Sequence, residues 1–224
     1  MIDLDIFILK LGTDETIKGS ASQLRGFFAT KFNEYVLLHH HIADKLVYRY
    51  PLIQYKFINN IPTVIGLNEG AEVLKEIYNE SDSIRLGENV YEINEREIVI
   101  KKGTFGLTPK FHSYEFITPW IGLNQKNYKQ FYEFRNSDER NDFLRKILTG
   151  NILSMSKAFN YTVPDQIKCD LSVFPEKISI KGVKHMGFKG KFHVNFEIPG
   201  WLGIGKSVSR GFGTIEEIRQ VNNK

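Results

Sequence analysis

Two helical stretches set among four strand-like ones fill residues 1–100, and their order constrains the fold more than any other feature. Ile2, Leu4, Ile6 and Ile8 recur at period two along Ile2–Leu11, the pattern of a half-buried strand. Thr13-Asp14-Glu15 and Gly19-Ser20-Ala21-Ser22 interrupt it. From Ser22, a candidate N-cap, Leu24, Phe27, Phe28 and Phe32 fall at helical spacing. A β-rich stretch covers Leu46–Ile58, where Pro51 indicates an edge or a bulge. Thr63–Leu67 reads as a further strand. Ala71, Val73, Leu74 and Ile77 make a short helix of Glu69–Tyr78, and Val90–Ile100 alternates again. The order β-α-β-β-α-β predicts a ferredoxin-like unit, an antiparallel sheet with its helices on one face.

The rest of the chain repeats part of this rhythm. Lys110–Thr118 alternates like a strand that Pro119-Trp120 ends. Ser137-Asp138-Glu139 opens the longest helix with a cap and two acids suited to the positive end of the helix dipole. Its buried stripe is Phe143, Leu144, Ile147, Leu148, Ile152 and Met155. Three β segments follow, Ile167–Phe174, Lys177–Lys184 and Lys191–Ile198, the last two joined through His185-Met186-Gly187-Phe188-Lys189-Gly190 as a long hairpin. The expected architecture is α+β: two tandem ferredoxin-like (RRM-like) domains, residues 1–105 and 106–224, with the boundary near Gly103–Thr108. The 224 residues, 42% hydrophobic and 25% charged, suit that arrangement.

No apolar run approaches the roughly 20 residues of a membrane span. The opening Met1-Ile2-Asp3-Leu4-Asp5 puts acids where an export signal carries lysine or arginine. The lone Cys169 can neither close an internal disulfide nor hold a structural zinc by itself. The expectation is a cytoplasmic protein without a membrane partner. Charge is unevenly spread: residues 1–105 carry a net −3 and residues 106–224 a net +7. Lys181, Lys184, Lys189, Lys191, Lys206 and Arg210 stand against the single acid Glu197 within 181–210. A segment of this kind favours a polyanion, because each neutralised phosphate releases counterions.

The most specific local feature is Gly200–Thr214, in which five of fifteen residues are glycine. Gly203, Gly205, Gly211 and Gly213 flank Lys206, Ser207, Ser209 and Arg210. Glycine permits positive φ and close backbone approach, so successive N–H groups can line an anion site, with cations and hydroxyls between them. A nucleotide-binding P-loop lacks its spacing here, and Val208 stands where a dinucleotide fingerprint needs glycine. The segment Ile198–Gly213 resembles the C-terminal glycine-rich signature of the RAMP superfamily. More narrowly it resembles the sixth Cas protein family, the endoribonucleases that process CRISPR repeat transcripts. That resemblance implies two ferredoxin-like domains and CRISPR repeat RNA as the partner. It also brings in other Cas proteins of an effector complex and a homodimer as candidate associations. Lys184, Lys189 and Lys191 on the hairpin join Gly203, Gly205, Lys206, Ser207, Ser209, Arg210, Gly211 and Gly213 as candidate RNA-binding residues.

Three of the six histidines, His39, His40 and His41, stand in one row. Consecutive side chains on a regular element diverge, and no acids at ligand spacing sit nearby, so no metal or other cofactor is expected. If the segment is helical, His41 and Lys45 share a face. The resemblance points to His39 and Lys45, because the family's catalytic histidine follows its first helix with a lysine close by. The candidate catalytic set is therefore His39, His41 and Lys45. Relatives with a tyrosine inside the first helix are matched here by Phe27-Phe28-Ala29-Thr30, which leaves Tyr35 and Tyr48 as alternatives. The implied reaction is metal-independent attack of the 2′-hydroxyl on the adjacent phosphate, leaving 2′,3′-cyclic phosphate and 5′-hydroxyl ends. The alternative is a non-catalytic RAMP-type RNA-binding subunit of a CRISPR effector complex. His112 is expected to be structural, His185 and His193 to lie at the surface, and Trp120 and Trp201 to serve the core rather than to stack on bases.

Overall fold

A computed structural model describes residues 1–39, 41–42, 45–46, 50–180 and 182–218, without the side chains of 39, 41–42 and 45–46. Contacts divide these into two compact units, one of residues 3–103 with 208–211, the other of residues 1–2, 104–207 and 212–218.

In the first unit, β1 (Ile2–Gly12) leads into α1 (Ala21–Lys31). The cap is Ser20 rather than Ser22: its Oγ accepts from the Gln23 amide while the Gln23 side chain accepts from the Ser20 amide. Gln23 at the third helical position is what moves the start two residues back. A short helix α2 (Val36–His39) and a two-strand ladder, β2 (His41–Ile42) with β3 (Lys45–Leu46), precede β4 (Ile53–Ile58). Then come β5 (Ile61–Leu67), α3 (Glu69–Ile77), the hairpin β6 (Ser83–Leu86) with β7 (Asn89–Glu92), and β8 (Glu95–Trp120). The strand order β4-β5-β1-β8 is antiparallel throughout β4-β5-β1 and is the ferredoxin-like order. Lys10 on β1 pairs with Glu97 on β8 at 2.7 Å. Phe7, Leu9 and Leu11 from β1 meet Leu24 and Phe28 of α1 and Leu74 and Ile77 of α3 in one core.

The expected boundary near Gly103–Thr108 carries no turn. Val90–Ile100 and Lys110–Thr118 are separated in sequence by Lys101–Pro109, yet β8 runs through that stretch without a break, and the alternation of Val90–Glu92 belongs to β7.

The second unit takes the last part of β8, then α4 (Gln125–Glu133), α5 (Ser137–Ala158), β9 (Cys169–Ile180), β10 (Val183–Glu197), a 3-10 turn at Val208–Arg210 that packs in the first unit, and β11 (Ile215–Glu217). Asn136, not Ser137, caps α5, accepting from the Glu139 amide at 2.8 Å. The β9–β10 reversal lies at Gly182, where φ is 77°, not at His185–Gly190. His185 and Lys189 therefore stand within β10. All pairings are antiparallel, with β9 on β10, β10 on β8 and β11 on β8. The order β9-β10-β8-β11 repeats that of the first unit, but the glycine-rich segment occupies the place of the second helix. Leu144, Leu148, Ile152 and Met155 of α5 are buried, as are Phe192, Val194 and Phe196 of β10. Among the described residues no helix is long and apolar enough to cross a membrane.

Candidate nucleic-acid interface

The glycine-rich segment is held by its own backbone. The amides of Trp201, Ile204 and Ile215 donate to the carbonyls of Ile215, Gly213 and Leu202 at 2.7–3.0 Å, and the Lys206 and Gly213 amides donate to Ile121 and Pro119 at 2.9 Å. Gly213, at φ 65°, has its Cα against the Ile204 carbonyl, where any Cβ would collide. Gly205, at φ 95°, would place a Cβ 2.7 Å from the Ile121 carbonyl oxygen and from Trp120 Nε1. Gly203, Gly211 and Gly213 are buried, and the Gly211 amide donates to the Val208 carbonyl at 3.0 Å. The glycines thus shape the loop, while Lys206 is exposed and Ser207, Ser209 and Arg210 are half-buried. Ser207 takes φ 56°, a left-handed conformation that costs a non-glycine residue energy.

Within the second unit, Lys206 and Ser207 border a cleft of about 1070 Å³ whose other walls are β9, β10 and α4. Lys177, Lys184 and His185 come from the hairpin, Tyr128 and Tyr132 from α4. Glu176 is the single carboxylate among the lining residues, so the cleft has a cationic excess. Partial burial lowers the Lys206 ammonium from its ordinary value.

Of the sequence candidates, Lys184, Lys206 and Ser207 meet in this cleft. Lys189 and Lys191 lie farther along β10, opposite Phe174 and Ser172, and do not line it. Ser209, Arg210 and Gly211 belong to the first unit, where the 3-10 turn packs on α1 and β4. There Arg25 of α1 is lowered by burial and then by the charge of Arg210. Nothing in the sequence marks Arg25, since the neighbouring cation is remote in the chain. The Tyr55 hydroxyl, raised by burial, has no hydrogen-bond partner among the described residues.

The backbone of His39 ends α2, and His41 and Lys45 stand on β2 and β3, His41 opposite Leu46 and Ile42 opposite Lys45. The helical face expected for His41 and Lys45 therefore does not form, because the helix stops at His39. The side chains of His39, His41 and Lys45, and all of His40 and Tyr48, lie outside the described residues. Tyr35 donates to Glu76 at 2.9 Å, which raises its phenol. Trp120 is buried, stacks on Phe116 and donates to Asn151 at 3.0 Å. Trp201 is half-buried. His112 lies 3.1 Å from Glu217, exposed His193 lies 2.7 Å from the Ser113 hydroxyl, and His185 is exposed.

Comparison with known proteins covers nearly the whole chain. A model of the Cas6b N-terminal domain matches residues 2–104, and one of the Cas6b C-terminal domain matches 106–218. A crystal structure of Cas6b superposes with a TM-score of 0.88 at 34% identity, over 97% of this chain and 100% of that one. A crystal structure of the CRISPR RNA processing endoribonuclease Cas6b gives 0.77 at 32% identity, with 97% and 100% coverage. The uncharacterized protein MJ0978 of Methanocaldococcus jannaschii is 41% identical over 138 residues, 61% of this chain and 93% of that protein.

Proposed function

Because this chain belongs to the Cas6b family, we propose that it is an endoribonuclease that cuts CRISPR repeat RNA in precursor transcripts. The observation that carries the proposal is the 32% identity, across 97% of the chain, to a CRISPR RNA processing endoribonuclease. The cationic cleft beside the glycine-rich segment supports it, since Lys184 and Lys206 suit phosphates that position an RNA without reading its sequence.

The chemistry proposed is attack by the substrate's own 2′-hydroxyl. The nucleophile is already joined to the phosphate, so holding it in line with the 5′ oxygen removes much of the entropic barrier. Of His39 and His41, one takes the 2′-hydroxyl proton and the other protonates the departing 5′ oxygen. Lys45 offsets charge on the non-bridging oxygens. The P–O bond to the 5′ carbon's oxygen breaks as the 2′ oxygen bonds to phosphorus, leaving a 2′,3′-cyclic phosphate and a 5′-hydroxyl. This route uses no metal. Residues 1–105 supply the histidines, and residues 106–224 supply the basic hairpin and the loop, whose Val208–Gly211 turn packs in the first unit.

Incubating the protein with its repeat transcript in EDTA tests the proposal. Cleavage with cyclic-phosphate ends is expected. Binding without cleavage, with or without added magnesium, would leave a non-catalytic RNA-binding subunit as the better description. His39→Ala and His41→Ala should each slow single-turnover cleavage by about 10²–10⁴-fold while RNA affinity holds. An equal fall in both would remove the histidines from the chemistry.

A further inference from the structure

The cleft's α4 wall has a feature that phosphate binding leaves unexplained. Tyr128 and Tyr132 are four residues apart, so they share one helix face, and they remain 44% and 53% exposed. Their rings touch, with centroids 5.0 Å apart at 59°. Burial, and then a hydrogen bond between the two hydroxyls, raise the Tyr132 phenol. Phe131, on the adjoining part of the same face, seats the helix, packing edge-on against Phe188 of β10 at 5.6 Å and against the Tyr132 ring at 5.6 Å, with the Arg140 guanidinium over its own ring at 5.5 Å.

Resting on the RNA-binding reading above, we propose that Tyr128 and Tyr132 form a stacking platform for an unpaired base of the RNA. Lys184 and Lys206, which line the same cleft, hold the phosphates on either side of that nucleotide. The two rings are already in contact, so the base lies on the outer face of the pair, not between the rings. Every base offers a π face, so the platform accepts any base in single-stranded RNA, whereas a duplex keeps its base faces covered. The cleft's volume, about 1070 Å³, accommodates a nucleotide with its flanking phosphates. Stacking itself requires only the rings.

Fluorescence anisotropy with two probes tests this: a 12-nucleotide RNA without self-complementarity and a 12-base-pair RNA duplex. The double variant Tyr128→Ala/Tyr132→Ala should bind the single strand about 5- to 100-fold more weakly, with duplex binding and Tm unchanged. Tyr128→Phe/Tyr132→Phe should stay within about twofold of the parent, since phenylalanine keeps the stacking face. The proposal is overturned if the alanine pair binds the single strand like the parent while Lys206→Ala weakens it; RNA binding would then stand without the platform. It is also overturned if the phenylalanine pair binds as weakly as the alanine pair, or if duplex binding falls equally. Should the parent bind neither probe nor the repeat transcript, the RNA-binding reading itself fails and takes the platform with it.

Discussion

Lys56, on β4, is 1% exposed, and burial lowers its ammonium to about 7 from an ordinary 10.5. The folded chain therefore gives up this proton near pH 7, whereas the unfolded chain keeps it to about 10.5. Between those values the unfolded state binds more protons, so stability rises with pH through this window, and below pH 7 the full desolvation cost is present. Lys56→Met should raise Tm by several degrees at pH 6 and by progressively less toward pH 10, as calorimetry at both pH values would record. An equal shift at both would show that the lysine is not buried as an uncharged amine. Gly213 carries the opposite kind of constraint. With positive φ and the Ile204 carbonyl against its Cα, Gly213→Ala should cost at least about 2 kcal/mol and lower both Tm and RNA affinity. At this scale the sequence was partly readable. The lysines and glycines of the loop announce themselves by type, but glycines that bear on RNA cannot be told by type from glycines that bear on neighbouring backbone. The Arg25–Arg210 pair was invisible because its members are remote in the chain; the tyrosines of α4 are local neighbours, but only the fold sets them in one cleft with Lys184 and Lys206.

Among the elements, α1, α3 and α5 were legible from their apolar spacing, and β1 was legible as a strand, though Ile6, Phe7, Ile8 and Leu9 are all buried, so it is covered on both faces rather than half-buried. Helix α4 was not. Its nine residues, Gln125-Lys-Asn-Tyr-Lys-Gln-Phe-Tyr-Glu, are mostly polar, and its apolar stripe of Tyr128, Phe131 and Tyr132 covers little more than one turn with Phe131 the one buried anchor, too short a signal to stand out. That anchor gives a prediction at this scale. Phe131→Ala should destabilise by about 3–5 kcal/mol and speed hydrogen exchange in α4 well beyond that in α5, as mass spectrometry of the exchanged peptides would reveal. Uniform exchange rates across both helices would mean that α4 is held by something else. The long strand β8 misled for the converse reason. Gly103, Gly106 and Pro109 look like punctuation, yet a strand tolerates them where ladder geometry bends, and the burial pattern there does not alternate cleanly.

At the scale of the whole molecule, the fold class was open to sequence reasoning because strand order follows from the succession of periods, and the same order, second strand beside third, third beside first, first beside fourth, recurs in each half. The substitution of a glycine-rich loop for the second helix of the second half was not, since nothing in composition says which element a loop replaces. Charge also acts at this scale. If the cleft binds single-stranded RNA through its phosphates, log K should fall linearly with log salt. Lys184→Ala/Lys206→Ala should then reduce that slope by about 1.4, roughly 0.7 for each phosphate no longer neutralised. A salt titration of anisotropy measures it, and an unchanged slope would place the phosphates elsewhere.

The unit that begins at Asp3 is not contiguous in sequence, for Val208–Gly211 packs on its α1 and β4 from the far end of the chain. A chimera made by joining the first 103 residues of one relative to the remainder of another would mismatch those four residues and the helix beneath them. Exchanging that unit therefore takes four cut points, either side of residues 3–103 and of residues 208–211, with the turn travelling alongside the half that houses it.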